Sequence, residues 1–257
     1  MCELFAVCGK RKIVLNDVLK EFFSHSVEHE NGWGIASFHG ESVSVEKEPE
    51  RAKDSAYLKN KLRAKIEEDL LLAHIRRATV GSLVYENCHP FVKRDARGRT
   101  WTLIHNGTIF NSPILNDYAR AQVGSTDSER ILLFFVDRLD REFANLDRKP
   151  TFDERFAVLE RAIDDVAEGN KVNLLFYDGE YLYAHSNYPK SLFVCETPDG
   201  LLFATKPLDL RLWSPIPFTA LCAYRAGELV KRGARHGKVF IDNPDEMKYL
   251  FMDFAGL

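Results

Sequence analysis

Two long amphipathic segments in the middle of the chain, with short apolar segments on either side, constrain the fold most. Each opens on a capping-box pattern, Thr126 to Glu129 and Thr151 to Glu154, and Gly169 is placed to end the second one. Their apolar residues recur at helical spacing: Ile131, Phe135, Leu139 and Phe143, then Phe156, Leu159, Ile163 and Val166. The sequence therefore predicts a central pair of helices.

Short apolar runs predict strands before and after this pair. Two further helices are predicted, one around 15–23 and one over about 50–67. The predicted strands are 3–9, 33–38, 70–75 and 101–104, followed by 172–177, 181–185, 192–195, 201–204 and 229–231. Strands that flank helices, instead of alternating with them, favour an α+β fold of packed sheets with helices outside. No repeat or linker divides the chain, so we expect a single domain over 1–257.

Composition excludes several classes of function. Thirty-five Lys and Arg residues against 38 Asp and Glu leave a net charge of -3, without the long basic run of nucleic-acid or membrane-surface binders. No apolar stretch approaches the roughly 20 residues that span a bilayer, and the N-terminus has no leader pattern, so we expect a cytoplasmic protein. The cysteines suit neither a disulfide framework nor a zinc site, since they are scattered at 2, 8, 88, 195 and 222.

Chemistry enters at the second residue. Removal of Met1 would expose Cys2 as the first residue, with its thiol and a free α-amine on the same residue. An α-amine has a pKa of about 8, so near neutral pH it can act as the base that takes the thiol proton. The alternative is that Cys2 merely begins a strand. The residues that accompany it decide between the two.

The accompanying motifs occur in a fixed order over about the first 130 residues. They are Asn31-Gly32-Trp33-Gly34, Ala73-His74-Ile75-Arg76-Arg77-Ala78-Thr79, Asn87-Cys88-His89-Pro90-Phe91, His105-Asn106-Gly107 and Ser125-Thr126-Asp127-Ser128-Glu129. With Met1-Cys2, this order resembles the class II glutamine amidotransferases, of the N-terminal nucleophile hydrolase superfamily, and above all their short stand-alone members. The resemblance implies a four-layer αββα sandwich of two mainly antiparallel sheets flanked by helices.

The resemblance also implies roles for the site residues. Asn106 and Gly107 match the family's oxyanion hole, although Asn-Gly is also a common turn dipeptide. Arg76 matches the clamp for the substrate α-carboxylate, and Asp127 matches the residue that holds the α-ammonium. Thr79 would bind near the same end of the substrate. Without the resemblance, Arg76 could be an exposed strand-end charge and Asp127 a carboxylate that stabilises a helix N-terminus.

The chain departs from the family pattern at two places. Glu28, His29, Glu30 and Asn31 stand where many relatives have Arg-Gly-Pro-Asp, so no role is carried over for that arginine. Arg77 stands where amidotransferases that feed synthases often have an aromatic residue. The way in which the pocket closes or passes ammonia onward is therefore not inferred.

Three histidines could suggest a metal, but His74, His89 and His105 lie in separate segments and each fits the family motif as a structural residue. We therefore expect neither a metal nor a cofactor.

The expected reaction is hydrolysis of the glutamine side-chain amide through a γ-glutamyl thioester on Cys2, with ammonia released to water or to a separate synthase or acceptor protein. One alternative is an N-terminal cysteine hydrolase of another γ-glutamyl amide or peptide. A second is a non-catalytic binding subunit that retains the fold. The expected partner is the small-molecule substrate, with neither nucleic acid nor membrane.

Overall fold

Antiparallel strands form the centre of the molecule. The computed structural model describes residues 2–40, 42–79, 81–110 and 112–243. The strands found there are β1 (Glu3–Val14), β2 (Trp33–His39), β3 (Ser42–Glu48), β4 (Glu67–Ile75), β5 (Phe91–Arg94), β6 (Thr100–Thr108), β7 (Lys171–Tyr177), β8 (Leu182–His185), β9 (Phe193–Thr197), β10 (Gly200–Ala204), β11 (Trp213–Pro215), β12 (Cys222–Arg225) and β13 (Glu228–Arg232). In β1 and β4 apolar residues run consecutively, because both faces of these strands are buried.

Helices connect and cover the strands. In the described part of the chain they are α1 (Asn16–Ser24), α2 (Ala56–Lys61), α3 (Pro113–Asn116), α4 (Asp127–Glu142) and α5 (Phe152–Ala167). The central pair is therefore confirmed as α4 and α5, of 16 residues each. Among the described residues, no helix has the length and apolar character needed to cross a membrane.

The strands form two sheets. One has seven strands in the order β11-β9-β10-β1-β4-β2-β3, and the other has six in the order β13-β12-β8-β7-β6-β5. β1 thus lies in the middle of the first sheet, between β10 and β4. In the second sheet β6 pairs with β7 along 102–108, whereas it pairs with β5 only along 100–103. On the β5 side, residues 104–108 therefore have no paired strand among the described residues.

Three apolar cores separate four layers. One core joins the outer face of the first sheet to α1 and α2, and another joins the outer face of the second sheet to α4 and α5. The third lies between the sheets and contains Leu4 and Ala6 of β1, Ile104 of β6 and Leu175 of β7. This arrangement of helix, sheet, sheet and helix confirms the predicted α+β four-layer sandwich.

The helix predicted over 50–67 is mostly wrong, because α2 covers only six of those residues. Ser55 Oγ fixes the start of α2 as its N-cap, accepting a backbone N–H bond of 2.9 Å. Beyond the end of α2, Asn16 Nδ2 donates to the carbonyl oxygens of Leu62 at 3.0 Å and Ala64 at 2.6 Å. These bonds hold the chain in a turn where the apolar spacing predicts more helix.

Several short elements were not predicted: β3, β5, β11, β12 and α3. The strands among them are edge or short strands whose pairing gives little periodic signal. In β3 the alternation is present, since Val43 and Val45 pack against the core between the sheets.

The N-termini of the two central helices differ from each other. Thr151 and Glu154 form the complete capping box that the sequence predicts. At α4, Thr126 Oγ1 accepts from the Glu129 N–H at 3.2 Å, but the Glu129 carboxylate binds the N–H groups of Val123 and Gly124. The capping box predicted at Thr126 is therefore only half formed, because Glu129 instead holds the loop that leads into the helix.

Candidate active site

Cys2 immediately precedes β1 and lies over the second sheet. Leu4 is in the core between the sheets, and by strand alternation Cys2 faces the same way. Leu4 pairs with His74 of β4, and His74 Nε2 lies 3.3 Å from the carbonyl oxygen of His105 in β6. The start of β1 therefore lies over the part of β6 that carries Asn106.

The Cys2 thiol is partly buried and has polar neighbours. Its Sγ accepts from the Arg77 N–H at 3.4 Å and lies 3.5 Å from the Arg77 carbonyl oxygen. Burial raises the pKa of the Cys2 thiol, while the Arg77 N–H and the charge of Arg76 act in the opposite direction. The other four cysteines are buried and free, so Cys2 is the more accessible thiol of the described residues.

Asn106 and Gly107 lie inside β6, so the hairpin-turn alternative is wrong. Asn106 is 2% exposed, and its Oδ1 has no hydrogen-bond partner among the described residues. At Gly107 the two strands approach so closely that an added Cβ would lie 1.8 Å from the carbonyl oxygen of Lys171 in β7. The glycine is therefore required by strand packing, since its φ is not in the left-handed region.

Arg76 follows β4 directly and is buried, so it is not an exposed strand-end charge. Two hydrogen bonds fix its main chain. The Arg76 N–H donates to the Gly32 carbonyl oxygen at 2.7 Å, and the Arg76 carbonyl oxygen accepts from the Asn31 N–H at 3.0 Å. The guanidinium donates to the carbonyl oxygens of Gly81 at 3.0 Å and Ser82 at 3.1 Å. Arg76 thus fixes the loop that follows it, and it also places a positive charge near Cys2.

Asp127 is the first residue of α4 and is 9% exposed. Its Oδ2 accepts from the Ile109 N–H just after β6, and its Oδ1 accepts from the Ser128 N–H, both at 2.8 Å. The carboxylate therefore ties the helix N-terminus to β6, as a first-turn acidic residue can. Its negative charge also raises the pKa of the Cys2 thiol.

Thr79 lies in the loop after β4 and contacts the end of β6. Its Oγ1 lies 3.1 Å from Oγ1 of Thr108, the last residue of β6. The segment before it is held by Asn31 Oδ1, which accepts from the Ala78 N–H at 2.8 Å. The structure therefore brings together the segment before β1, the loop after β4, the end of β6 and the start of α4, which carry the site residues that the sequence predicts: Cys2, Arg76, Thr79, Asn106, Gly107 and Asp127.

The three motif histidines meet behind this site, although they are distant in sequence. The rings of His74 and His89 are 4.0 Å apart, and His105 Nδ1 lies 2.9 Å from Ser128 Oγ. Burial holds the pKa of His74 and His89 well below the ordinary value, and it also lowers the pKa of His105. The rings are consequently neutral at neutral pH, and within the described residues no group of three or more His, Cys, Asp or Glu side chains could hold a metal ion.

An ionic cluster around the buried Glu3 carboxylate anchors the residue after Cys2, and it was not predicted from the sequence. Glu3 is 2% exposed, and its carboxylate lies 2.8 Å from both His25 Nδ1 and Lys206 Nζ and 3.7 Å from His29 Nε2. Burial would raise the pKa of Glu3, but bonds from His25 and Lys206 hold it below its ordinary value. The available signal was an acidic residue directly before the apolar run Leu4–Cys8.

Lys171 is a second residue that the sequence analysis missed. By alternation with Leu175 it lies on the inner face of β7, where it is 2% exposed, and its Nζ is 4.0 Å from the centre of the Tyr188 ring. Burial lowers the pKa of Lys171 to about 8, while the charges of Asp242 and Cys2 act in the opposite direction. This ammonium therefore adds positive potential near the thiol.

The arrangement has the parts required for acyl transfer. A thiol is held by a backbone N–H, a side-chain amide is buried opposite it, and a cation and an anion lie within electrostatic range of the thiol.

Two curated proteins are similar to this chain in sequence. The chain is 29% identical over 262 residues to the uncharacterized protein MJ1515 of Methanocaldococcus jannaschii, which covers 91% of this chain and 72% of the relative. It is 32% identical over 172 residues to a Haemophilus influenzae protein named "Putative glutamine amidotransferase", covering 67% of this chain and 57% of that protein. The chain thus spans little more than half of the second relative.

Solved structures share the fold. The "predicted glutamine amidotransferase" of Pseudomonas aeruginosa superposes with a TM-score of 0.58 at 20% identity, covering 90% of this chain and 100% of that one. The glutamine phosphoribosylpyrophosphate amidotransferase of B. subtilis superposes with a TM-score of 0.67 at 16% identity, covering 93% of this chain and 50% of that one.

A sequence model of the family described as glutamine amidotransferases class-II matches residues 1–199, which is well over half of the chain. This protein therefore belongs to the class II glutamine amidotransferases.

Proposed function

We propose that this protein hydrolyses the side-chain amide of glutamine with the Cys2 thiolate as the nucleophile. The observation that carries the proposal is the position of the Cys2 thiol, which lies at the start of β1 over the Asn106 segment, within range of the charges of Arg76 and Asp127. Membership of the amidotransferase family supports glutamine as the substrate. Removal of Met1 would add the α-amine of Cys2 as the base.

The reaction proceeds by acyl transfer in two steps. The Cys2 thiolate attacks the side-chain carbonyl carbon, and the oxyanion that forms accepts hydrogen bonds from the Asn106 side-chain amide and the Gly107 N–H. The carbon–nitrogen bond then breaks, and the protonated α-amine of Cys2 gives its proton to the departing ammonia. Water attacks the γ-glutamyl thioester, which releases glutamate and restores the thiol.

The other predicted residues bind the amino-acid end of glutamine. The Arg76 guanidinium pairs with the α-carboxylate, and the Asp127 carboxylate pairs with the α-ammonium. Thr79 contributes polar groups at the same end, next to Thr108. Because Arg76 also binds the carbonyl oxygens of the following loop, substrate binding and loop order are coupled through one side chain.

The fate of the ammonia divides the proposal into two forms. Either a separate synthase or acceptor protein receives it, or the reaction ends as simple hydrolysis. Both forms of the proposal assume that residues 1–257 form a single domain, which remains a prediction.

The test is release of ammonia and glutamate from glutamine by the wild-type protein and by Cys2→Ala. The wild type is expected to release both products in equal amounts, and Cys2→Ala is expected to lose more than about 1,000-fold in kcat, as removal of a covalent nucleophile does. Wild-type activity in Cys2→Ala would overturn the proposal.

The matched control is Cys195→Ala, since Cys195 is buried in the outer core of the first sheet. It should retain wild-type activity, which separates loss of the nucleophile from loss of any cysteine. The same assay with γ-glutamyl peptides identifies the preferred substrate. Peptide cleavage without glutamine cleavage would replace glutamine as the substrate and retain Cys2 as the nucleophile.

A further inference from the structure

Two buried side-chain amides lie next to each other on adjacent strands of the second sheet. Asn106 of β6 and Asn173 of β7 are directly paired in the antiparallel register. Two residues away, Ile104 and Leu175 both lie in the core between the sheets, so both asparagines point to this inner face. Cβ atoms of directly opposed residues are about 5 Å apart, which is within the reach of two carboxamides.

Each amide has one buried polar atom without a partner among the described residues. In Asn106 the atom is the acceptor Oδ1, and in Asn173 it is the donor Nδ2. Asn106 is 2% exposed and Asn173 is fully buried. Leaving a buried polar atom without a hydrogen bond is costly, and here a donor and an acceptor in that state lie on directly paired residues.

The Asn173 amide is held at its other end. Ser186 Oγ lies 2.8 Å from Asn173 Oδ1 and 3.1 Å from the Tyr188 carbonyl oxygen, so its single proton is donated over the shorter distance to Asn173. Ser186 Oγ is itself 3.1 Å from Ser191 Oγ, and Ser191 Oγ lies 2.6 Å from the Tyr188 carbonyl oxygen. Because the oxygen of Asn173 is held by this hydroxyl pair, its NH₂ group is the end that remains for another acceptor.

We propose that Asn173 is a positioning residue for Asn106, donating from Nδ2 to Asn106 Oδ1 when substrate is bound. This inference rests on the proposed function, in which the Asn106 NH₂ group binds the oxyanion. An asparagine amide has two ends of nearly equal size, and only the NH₂ end stabilises a developing negative charge. A donor fixed at the oxygen end selects the productive orientation before the reaction begins.

The test compares Asn173→Asp and Asn173→Ala with the wild type. Asp is nearly isosteric but replaces the NH₂ donor by an acceptor, which disfavours the productive Asn106 orientation. Loss of one oxyanion-hole donor reduces kcat by about 100- to 1,000-fold, so misorientation should reduce it by about 10- to 100-fold with little change in KM. The Ala variant should show a smaller fall in kcat, and it provides the comparison with the wild type if the Asp variant does not fold.

The rate at which iodoacetamide alkylates Cys2 separates positioning from a general structural effect. If Asn173 only supported the structure of the site, its substitution would change this rate together with kcat. This displacement at a saturated carbon forms no oxyanion, so its rate in both variants should stay within about threefold of the wild type. The matched control is Thr102→Val, because Thr102 Oγ1 is another buried atom without a partner among the described residues, on the inner face of β6. This control should retain wild-type kcat.

Two outcomes overturn the inference alone. They are a wild-type kcat in both Asn173 variants, or a fall in kcat with an equal fall in the alkylation rate. If the wild type releases no ammonia from any γ-glutamyl amide, the proposed function fails and the inference falls with it.

Discussion

Replacing Gly107 by alanine perturbs the contact that places β6 against β7 at the site. The new Cβ would lie 1.8 Å from the Lys171 carbonyl oxygen, 2.4 Å from His105 Nε2 and 2.7 Å from the Lys171 carbonyl carbon. Two of these atoms belong to the main chain of the neighbouring strand and cannot rotate away. The strands must therefore separate, and the bond from His105 Nε2 to the Lys171 carbonyl, now 3.0 Å, is strained or lost.

The expected cost follows from these contacts. Overpacking in a rigid site costs about 1–3 kcal/mol, and a lost buried hydrogen bond adds about 1 kcal/mol. We therefore expect Gly107→Ala to lower the free energy of unfolding by about 2–4 kcal/mol. In a protein of this size that corresponds to a fall of about 4–16 °C in Tm. Activity should fall too, because the displaced strand carries Asn106.

Urea unfolding and ammonia release measure the two effects. Gly233→Ala is the matched control, because its nearest contact would be the carboxylate end of Glu160 at 2.2 Å, which can move aside. It should cost about 1 kcal/mol or less and leave activity unchanged. An unfolding free energy for Gly107→Ala within about 0.5 kcal/mol of the wild type, with normal kcat, would show that strand packing does not require glycine at this position.

Two further predictions concern charged groups. Arg76→Lys keeps the positive charge, but an ammonium cannot bind both loop carbonyl oxygens and a carboxylate as the planar guanidinium can. The KM for glutamine should therefore rise by about tenfold or more in the ammonia assay. An unchanged KM would contradict the role of Arg76 as the carboxylate clamp. The bond with Glu3 raises the pKa of His25, so the stabilisation from protonated His25 is complete below about pH 6.5 and is lost as pH rises through the higher folded pKa. The Tm difference between the wild type and His25→Asn should therefore be largest near pH 5–6 and shrink above it; a difference that grows from pH 6 to 9 would exclude this pairing.

Much of the fold could be predicted because periodicity reports burial directly. The four-residue spacing from Ile131 onward predicts α4, and the spacing from Phe156 predicts α5. The prediction fails where tertiary hydrogen bonds override local pattern. At 50–67 the apolar spacing continues, but the side chain of Asn16 binds the carbonyls that a longer helix would use.

The site could be predicted only in part. The motifs identify Arg76 and Asn106 as neighbours in function, and the structure brings their segments together. The partnership of Asn106 with Asn173 could not be predicted, because their register is set by a connection that contains α4 and α5. The ionic cluster at Glu3 depends in the same way on His25 and Lys206, which are distant in sequence.

Covalent trapping followed by mass measurement tests whether Cys2 is the N-terminal nucleophile. The full chain is treated with a chloroketone analogue of glutamine, and its intact mass and peptide masses are measured. We expect a single adduct on a chain that begins at Cys2, located on the Cys2 thiol and prevented by excess glutamine. A chain that retains Met1, a label on Cys88 or another residue, or the absence of any label would contradict it.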